Sequence, residues 1–284
     1  MLSRTFRAMG TEMELLLDAQ SDAPLVEAEQ ELRRLESLLS RFLPESELGR
    51  LNEAGSLEVG PELLELTELA LDARKRTGGR FDPTVHDALV AAGYDRSFDV
   101  LDPASRPVAD NDARCGGAVE VDRGAGRIAL EPGYRLDLGG IAKGWAADRV
   151  VTFLSQAGPA LVNAGGDVAA TGAAWPVGVE TPCGSLTLEL VDGGIATSGR
   201  DRRVWQADGE ERHHLIDPVT GEPAAGDVLT VTVAARSAAE AEVLATSLFL
   251  AGSVERAAAE ADAKAIPAVL VGADGERCLA GGLA

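Results

Sequence analysis

The amino-acid sequence predicts an α+β fold, and three observations carry that prediction. Residues 25–42 place apolar side chains at spacings of three and four, the period of an amphipathic helix. Residues 95–135 and 159–235 are written largely as short apolar runs broken by Gly, Pro, Asp and Asn, the texture of strands and turns. Strands and helices do not alternate regularly, as they would in a doubly wound parallel sheet. The expected architecture is therefore antiparallel or mixed sheets with packed helices. No position invites a cut, so 1–284 reads as a single domain or as two intertwined subdomains.

Taken in order, TEMELLLD (11–18) reads as a strand after a Met9-Gly10 turn. In SDAPLVEAEQELRRLESLLSRF, Leu25, Ala28, Leu32, Leu35, Leu39 and Phe42 share one helical face, with Asp22 as N-cap and Pro24 in the first turn. A second helix is predicted from Pro61 to Arg76, stopping at Thr77-Gly78-Gly79, and a third from Pro83 to Ala92. AVEVD, RIALE and YRLDL read as strands. A helix starts at the glycines of LGGIAKGWAADRVVTFL, and the strand-like PALVNAGGDVAATG follows it. WPVGVE, SLTLELV, GIATSG, RRVWQA and HHLIDP then read as antiparallel strands joined by hairpins, and LTVTVAA as a further strand. Ser237 caps a helix through Phe249, and a short helix and the hairpin AVLVGADGERCL close the chain.

Charge and composition exclude several functions. Acidic residues number 46 and basic residues 26, a net charge of -20, which argues against nucleic acid because phosphate binding needs a concentrated cationic surface. A small anion stays admissible, since a metal ion reverses the local field inside an acidic protein. The three cysteines stand at no redox or metal-finger spacing, which suits reduced thiols. No run of 18 apolar residues offers a membrane span. The N-terminal stretch lacks the apolar core of a signal peptide and a cysteine for a lipid anchor, so the expected location is cytoplasmic.

Three stretches combine glycine and polar residues in otherwise apolar text. Asp137-Leu138-Gly139-Gly140-Ile141-Ala142-Lys143-Gly144 reads as a strand running into a helix, where glycines admit a ligand to the backbone and the helix N-terminus favours an anion. It lacks P-loop spacing, and a glycine turn beside a solvated Lys143 fits the same text. Arg212 to Pro223 brings together His213, His214 and Asp217. A histidine near a carboxylate is a candidate proton shuttle, and strand alternation puts His214 with Ile216 on one face and His213 with Leu215 on the other. A hydrogen-bonded strand histidine and a turn-initiating Asp before Pro are the plainer readings. In AEVLATSL, Glu242 and Thr246 are one helical turn apart; a carboxylate, a hydroxyl and carbonyls suit Mg²⁺, although Glu on a helix is more often solvated.

In this order the motifs closely resemble the ApbE family of FAD-dependent flavin transferases. The resemblance runs through FRAMGTEMEL, LSRFLPESELGRLN, GGRFDPTVHDAL, RLDLGGIAKGWAADRV, LVNAGGDVAATG, GIATSGRDRRVW, HHLIDPVTGEP and LTVTVAARSAAEAEVLATSLFLAG, nearly the whole chain. It implies the α+β fold of that family, with FAD in a groove and Mg²⁺ bridging protein and pyrophosphate. The implied activity moves the FMN moiety of FAD onto a threonine hydroxyl of an acceptor protein and releases AMP. Some members instead hydrolyse FAD to FMN and AMP, and a non-catalytic FAD binder with an altered metal site is a third reading.

Carried over by position, the resemblance implies that Met9 and Phe42 lie against FAD, Phe42 on the adenine side. Thr84, Val85 and His86 would form part of the flavin pocket, and Asp137 and Lys143 would contact FAD. Thr197, Ser198 and Gly199 would approach the cofactor, and His214 would be the general base. Gly140 and Ala245, through their carbonyls, would join Glu242 and Thr246 around the metal. Two positions depart from the family pattern. Glu242 stands where Asp is usual, and Mg²⁺ demands near-octahedral bonds of about 2.0–2.1 Å, so the longer arm bears on the metal site. His86 stands where a small residue is common.

Overall fold

The chain runs in order through strands β1 (Leu2–Ala8) and β2 (Thr11–Leu17), helices α1 (Ala23–Leu39) and α2 (Glu47–Ala54), β3 (Ser56–Glu58), α3 (Pro61–Arg76) and α4 (His86–Ala91). Next come β4 (Val119–Asp122), β5 (Arg127–Leu130), α5 (Ala142–Leu154), β6 (Ala160–Ala164), β7 (Asp167–Thr171), β8 (Trp175–Val179) and β9 (Leu186–Leu190). The last part holds β10 (Gly193–Gly199), β11 (Val204–Ala207), β12 (Glu210–His213), β13 (Ile216–Asp217), β14 (Glu222–Pro223), β15 (Val228–Ala235), α6 (Ala238–Phe249), α7 (Val254–Lys264), β16 (Ala268–Gly272) and β17 (Arg277–Ala280). The structure, a computed structural model, describes residues 1–101, 113–182, 184–207 and 209–283. The 102–112 part of the strand-and-turn region and Cys183 lie outside them; Cys115 and Cys278 are free thiols.

The chain forms two compact units. One comprises Met1–Glu36, Ile141–Gly199 and Ala225–Ala284; the other comprises Ser37–Gly140 and Arg200–Ala224. The α+β class is the one observed, and every strand pairing described is antiparallel.

The first unit is built on an eight-stranded sheet in the order β1-β2-β6-β7-β10-β15-β16-β17, with β8 and β9 as a separate hairpin. Alternation decides its faces: Met13, Leu15 and Leu17 of β2 are wholly buried, while Glu12, Glu14 and Leu16, which alternate with them, are not. Helix α5 packs on β6 and β7, α6 packs on β10 and β15, and the two helices meet each other. Two glycines let α6 come this close. A Cβ on Gly144 would stand 2.6 Å from the backbone of Ala238 and Ala239, and one on Gly194 would stand 2.1 Å from the Ala238 nitrogen. The free amides of the α6 first turn are then answered by side chains. Asp148 of α5 accepts from the nitrogens of Ala238 (2.8 Å) and Ala239 (3.0 Å), and Ser237 accepts from that of Glu240 (3.2 Å).

The second unit holds α2–α4, the three-stranded sheet β3-β5-β4 and the pairs β11-β12 and β13-β14. Its core gathers Ala88, Leu89, Tyr94, Leu101, Trp205, Ala207 and Ile216, with Phe42 and Val85 packed against it.

Several elements differ from their sequence reading. YRLDL forms no strand; Asn52 holds both backbone groups of Leu136, donating to its carbonyl (2.8 Å) and accepting from its nitrogen (2.7 Å). α1 stops at Leu39, leaving Phe42 in the turn that follows, and α4 starts at His86, three residues beyond Pro83. HHLIDP is not one strand: β12 ends at His213, His214 lies at a bend, and β13 begins at Ile216, so alternation does not govern the two histidines. Strand β1 and the α2–β3 pair went unread, β1 because its polar outward residues dilute its apolar signal.

The closeness of α6 to its neighbours gives a direct test. Gly194→Ala forces a methyl into backbone and should lower unfolding free energy by about 1–3 kcal/mol, read as a lower denaturant midpoint at unchanged slope.

Candidate functional site

In the first unit, α5 and α6 present a lysine and a glutamate to the first residue of β7. The Lys143 ammonium donates to both the Asp167 and the Glu242 carboxylates, and the second Glu242 oxygen accepts from the Gly144 nitrogen at 3.0 Å. The side chains of Lys143, Asp167 and Glu242 are 14%, 5% and 5% exposed, so the cluster is screened little by water. One ammonium serves two carboxylates. Burial, with the Asp167 charge adding to it and only part of the rise offset by Lys143, pushes the Glu242 carboxyl up to about 8. One turn along α6, Thr246 shares a hydrogen bond of 3.0 Å with Ser198 of β10. Alternation sends the neighbouring Thr197 to the other face of β10, where it meets Thr232 at 2.8 Å. Gly199 closes that strand, and Ala245 is wholly buried in α6.

Burial also pushes the Asp148 carboxyl up, against the amides of Ala239 and Ala238 that favour its charge. Met9 and Gly10 form the two-residue turn between β1 and β2, and both have positive φ, 52° and 69°. Met9 is therefore held in the left-handed region that a side chain avoids.

In the second unit, Asp137 pairs with Arg41 at 2.5 Å, both side chains being buried, and also accepts from the Gly139 nitrogen at 2.7 Å. The Arg41 guanidinium lies over the rings of Phe42 (4.2 Å) and Tyr94 (4.7 Å) and donates to the Tyr94 carbonyl at 2.9 Å. Phe42 meets Tyr94 edge-on at 5.6 Å, and Tyr94 meets Trp205 at 5.4 Å, so Phe42 ends a row of three rings. Gly140 lies against Phe81: a Cβ there would be 3.1 Å from the ring.

Thr84 is a strut. Its hydroxyl donates to Asp82 at 2.7 Å and accepts from the nitrogens of Gly116 (2.9 Å) and Gly117 (3.2 Å). Val85 packs against the aromatic core beside it. His86 is buried and bonds through Nδ1 to Asp87 at 2.8 Å. Burial raises the Asp87 carboxyl, but His86 and Arg135 together outweigh it and hold the group below its ordinary value. Burial, with the charges of Asp82 and Asp217, pushes the Cys115 thiol up to about 12, which makes it inert.

The two adjacent histidines part company. His213 is buried and donates from Nε2 to the Ala224 carbonyl (3.1 Å), while its Nδ1 accepts from the Leu215 nitrogen (3.3 Å). Those bonds require the neutral ring, and burial lowers its basicity. His214 follows at the bend, partly exposed, outside that pair of bonds. Asp217 is a turn builder: its carboxylate accepts from the Val219 nitrogen (2.9 Å) and its carbonyl from that of Gly221 (2.8 Å).

Of the residues singled out in the sequence, Lys143, Ser198, Glu242 and Thr246 converge around one buried cluster, with Ala245 alongside on α6. Met9, Thr197 and Gly199 lie elsewhere in the same unit. Phe42, Thr84, Val85, His86, Asp137, Gly140 and His214 belong to the second unit. Three residues went unread. Asp167 carries no signal beyond the glycines before it. Arg41 stood as one charge in a helical run, and Asp148 as a polar position of α5.

Among the described residues, no three or more His, Cys, Asp and Glu side chains gather to hold a metal. A cation at α6 would therefore take hydroxyl and carbonyl oxygens beside the carboxylates. The donor chemistry fits Mg²⁺: all are hard oxygens, and the buried carboxylates exceed the one ammonium between them. No helix among those residues is long and apolar enough to cross a membrane.

The fold is thus an α+β arrangement in which an antiparallel sheet and its covering helices join a lysine, two buried carboxyl groups and a hydroxyl pair. The chain belongs to the ApbE family, whose model matches residues 9–275. It is 33% identical over 263 residues to a FAD:protein FMN transferase of Treponema pallidum, covering 82% of this chain and 73% of that protein. It is 30% identical over 277 residues to one from Vibrio cholerae, covering 89% and 80%. Among solved structures, the ApbE protein of Thermotoga maritima superposes with a TM-score of 0.84 at 27% identity, covering 98% of this chain and 96% of that one. The flavin transferase ApbE of Vibrio cholerae does so with 0.80 at 26%, over the same shares.

Two measurements check this geometry. The basicity of His213 is lower folded than unfolded, so its contribution is complete above the ordinary imidazole value of 6.5 and is lost as pH falls through the folded value. Stability should therefore drop on acidification below about 6.5, and His213→Gln should flatten that drop in denaturant titrations at stepped pH. Met9→Asn, which tolerates the left-handed region, should raise unfolding free energy by about 0.5–1 kcal/mol in the same titrations.

Proposed function

We propose that the protein transfers the FMN moiety of FAD to a threonine hydroxyl of an acceptor protein, with Mg²⁺ and with release of AMP. The observation that carries the reading is the buried Lys143–Asp167–Glu242 cluster beside the Ser198–Thr246 hydroxyl pair, in a chain of the ApbE family. The relatives named FAD:protein FMN transferase supply the substrate class.

Glu242, Thr246 and the carbonyls of Ala245 and Gly140 would hold the cation, which when bound neutralises charge on the pyrophosphate. Lys143 and Asp137 would orient FAD, Lys143 by its charge on the phosphates. Phe42 offers a ring face on the adenine side, with Arg41 stacked behind it. Met9 would lie against FAD, and Thr84, Val85 and His86 would form part of the flavin pocket, the Thr84 hydroxyl bracing that loop through Asp82, Gly116 and Gly117. Thr197, Ser198 and Gly199 would approach the cofactor from β10, Ser198 being the one bonded to Thr246.

His214 takes the proton from the acceptor hydroxyl as its oxygen attacks the FMN phosphorus. The new phosphoester bond forms, the anhydride bond to AMP breaks, and AMP leaves with the electron pair. Of the two histidines, His213 is committed as a neutral strut, so the proton falls to His214. With water in place of the hydroxyl the same bond breaks to FMN and AMP. The cytoplasm is the proposed location and FAD and the acceptor the proposed partners.

The test incubates the protein with FAD, Mg²⁺ and a flavin-acceptor protein, following covalent fluorescence on the acceptor and AMP in solution. Label and AMP should appear in equal amounts, and His214→Ala should cut the rate by about 10²–10⁴-fold. AMP without label marks the hydrolase instead, and FAD binding without AMP marks a binder.

A further inference from the structure

We infer that Lys143 stands in for the divalent cation in the metal-free chain, and that cation binding expels its ammonium from the carboxylates and frees it for the anionic ligand. The inference deepens the proposed function and rests on its assignment of Glu242 to the metal.

Four observations support it. The Lys143 ammonium joins two buried carboxylates that come from separate elements, Asp167 on β7 and Glu242 on α6, which is how a shared cation is held. The pairing is incomplete, because one ammonium serves two carboxyl groups where a divalent ion would match both. Lys143 is the second residue of α5, where the helix end repels a cation, and the carboxylates hold it there against that repulsion. Both Glu242 oxygens are engaged, one by Lys143 and one by the Gly144 nitrogen. A metal reaching Glu242 must therefore displace one of these partners. The Gly144 amide is fixed by the backbone of α5, whereas the lysine sits on a four-carbon stem and can leave.

The Glu242 side chain gives this chain its own version of the device. Its two oxygens reach the neighbouring residues Lys143 and Gly144 at the start of α5 at once. Loading the metal then costs the ion pair. Loading also delivers a mobile cation within one stem length of the site, at the moment an anionic ligand needs it.

The sequence makes the test direct, because it contains only three lysines, Lys75, Lys143 and Lys264. The unaltered protein is treated with an amine-acylating reagent in the absence and presence of Mg²⁺, without FAD, and each lysine is read by peptide mass spectrometry. Calorimetry on the same sample follows Mg²⁺ binding. Acylation of Lys143 should rise about fivefold or more with Mg²⁺, while Lys75 and Lys264 stay constant as internal references. In parallel, Lys143→Met should bind Mg²⁺ about tenfold more tightly, equivalent to about 1.4 kcal/mol, since it removes the competitor. Mg²⁺ binding with unchanged or reduced Lys143 acylation would overturn the inference and leave the metal assignment standing. Loss of Mg²⁺ binding in Glu242→Gln confirms that assignment separately. Absence of binding in the unaltered protein sinks both.

Discussion

The chemistry in the first unit depends on how closely the first turn of α6 approaches α5 and β10. Gly144 and Gly194 remove the two Cβ atoms that would hold the helix away, and the Asp148 carboxylate replaces the hydrogen bonds its leading amides lack. Once α6 is seated, the helical period does the rest. Glu242 comes to the Gly144 nitrogen and Lys143, and Thr246, one turn later, reaches Ser198. The buried carboxylate is tolerable only because this seating supplies partners to both of its oxygens. Close packing and charge placement are thus one arrangement, since a helix displaced by a methyl group would leave an uncompensated anion in the interior.

That dependence explains what could be read from the residues. The α+β class, α3 from Pro61 to Arg76 and the Ser237 cap followed by a helix to Phe249 rest on local rules of period and capping, and they stand in the structure as read. Where a long-range bond overrides local preference, the reading fails. Asn52 takes both backbone groups of Leu136, 84 residues away, where the sequence reads as a strand and none forms. Strand alternation does not extend across His213 and His214 for a similar reason. The ring of His213 is bonded across the β-turn to Ala224, and the strand breaks directly after it.

Candidate residues divide along the same line. Glu242 and Thr246 were legible together because one helix carries both at a fixed spacing, whereas Ser198 was named only through the family resemblance. Asp167 was not, because its meaning lies in a lysine 24 residues before it and a glutamate 75 after, a relation that only the sheet creates. Arg41 was hidden for the same reason: its carboxylate partner, Asp137, and its stacked ring, Tyr94, are distant in sequence. The Asp that opens HHLIDP's turn was, conversely, plain. Asp before Pro initiates a turn, and Asp217 spends both its carboxylate and its carbonyl on that task.

The net charge of -20 acquires a definite meaning only at this scale. Exposed carboxylates are screened by water and salt, so a surface of them says little about what the interior binds. Asp167 and Glu242 are different, because burial removes that screening and leaves one ammonium to serve both. An acidic protein can then accept an anionic ligand without a cationic surface. In the proposed scheme a divalent ion would make good the buried deficit, and the lysine it releases would add a second positive charge at the same place. Attraction for the anion would thus arise only in the metal-loaded state, which orders the two binding events: cation first, anion second.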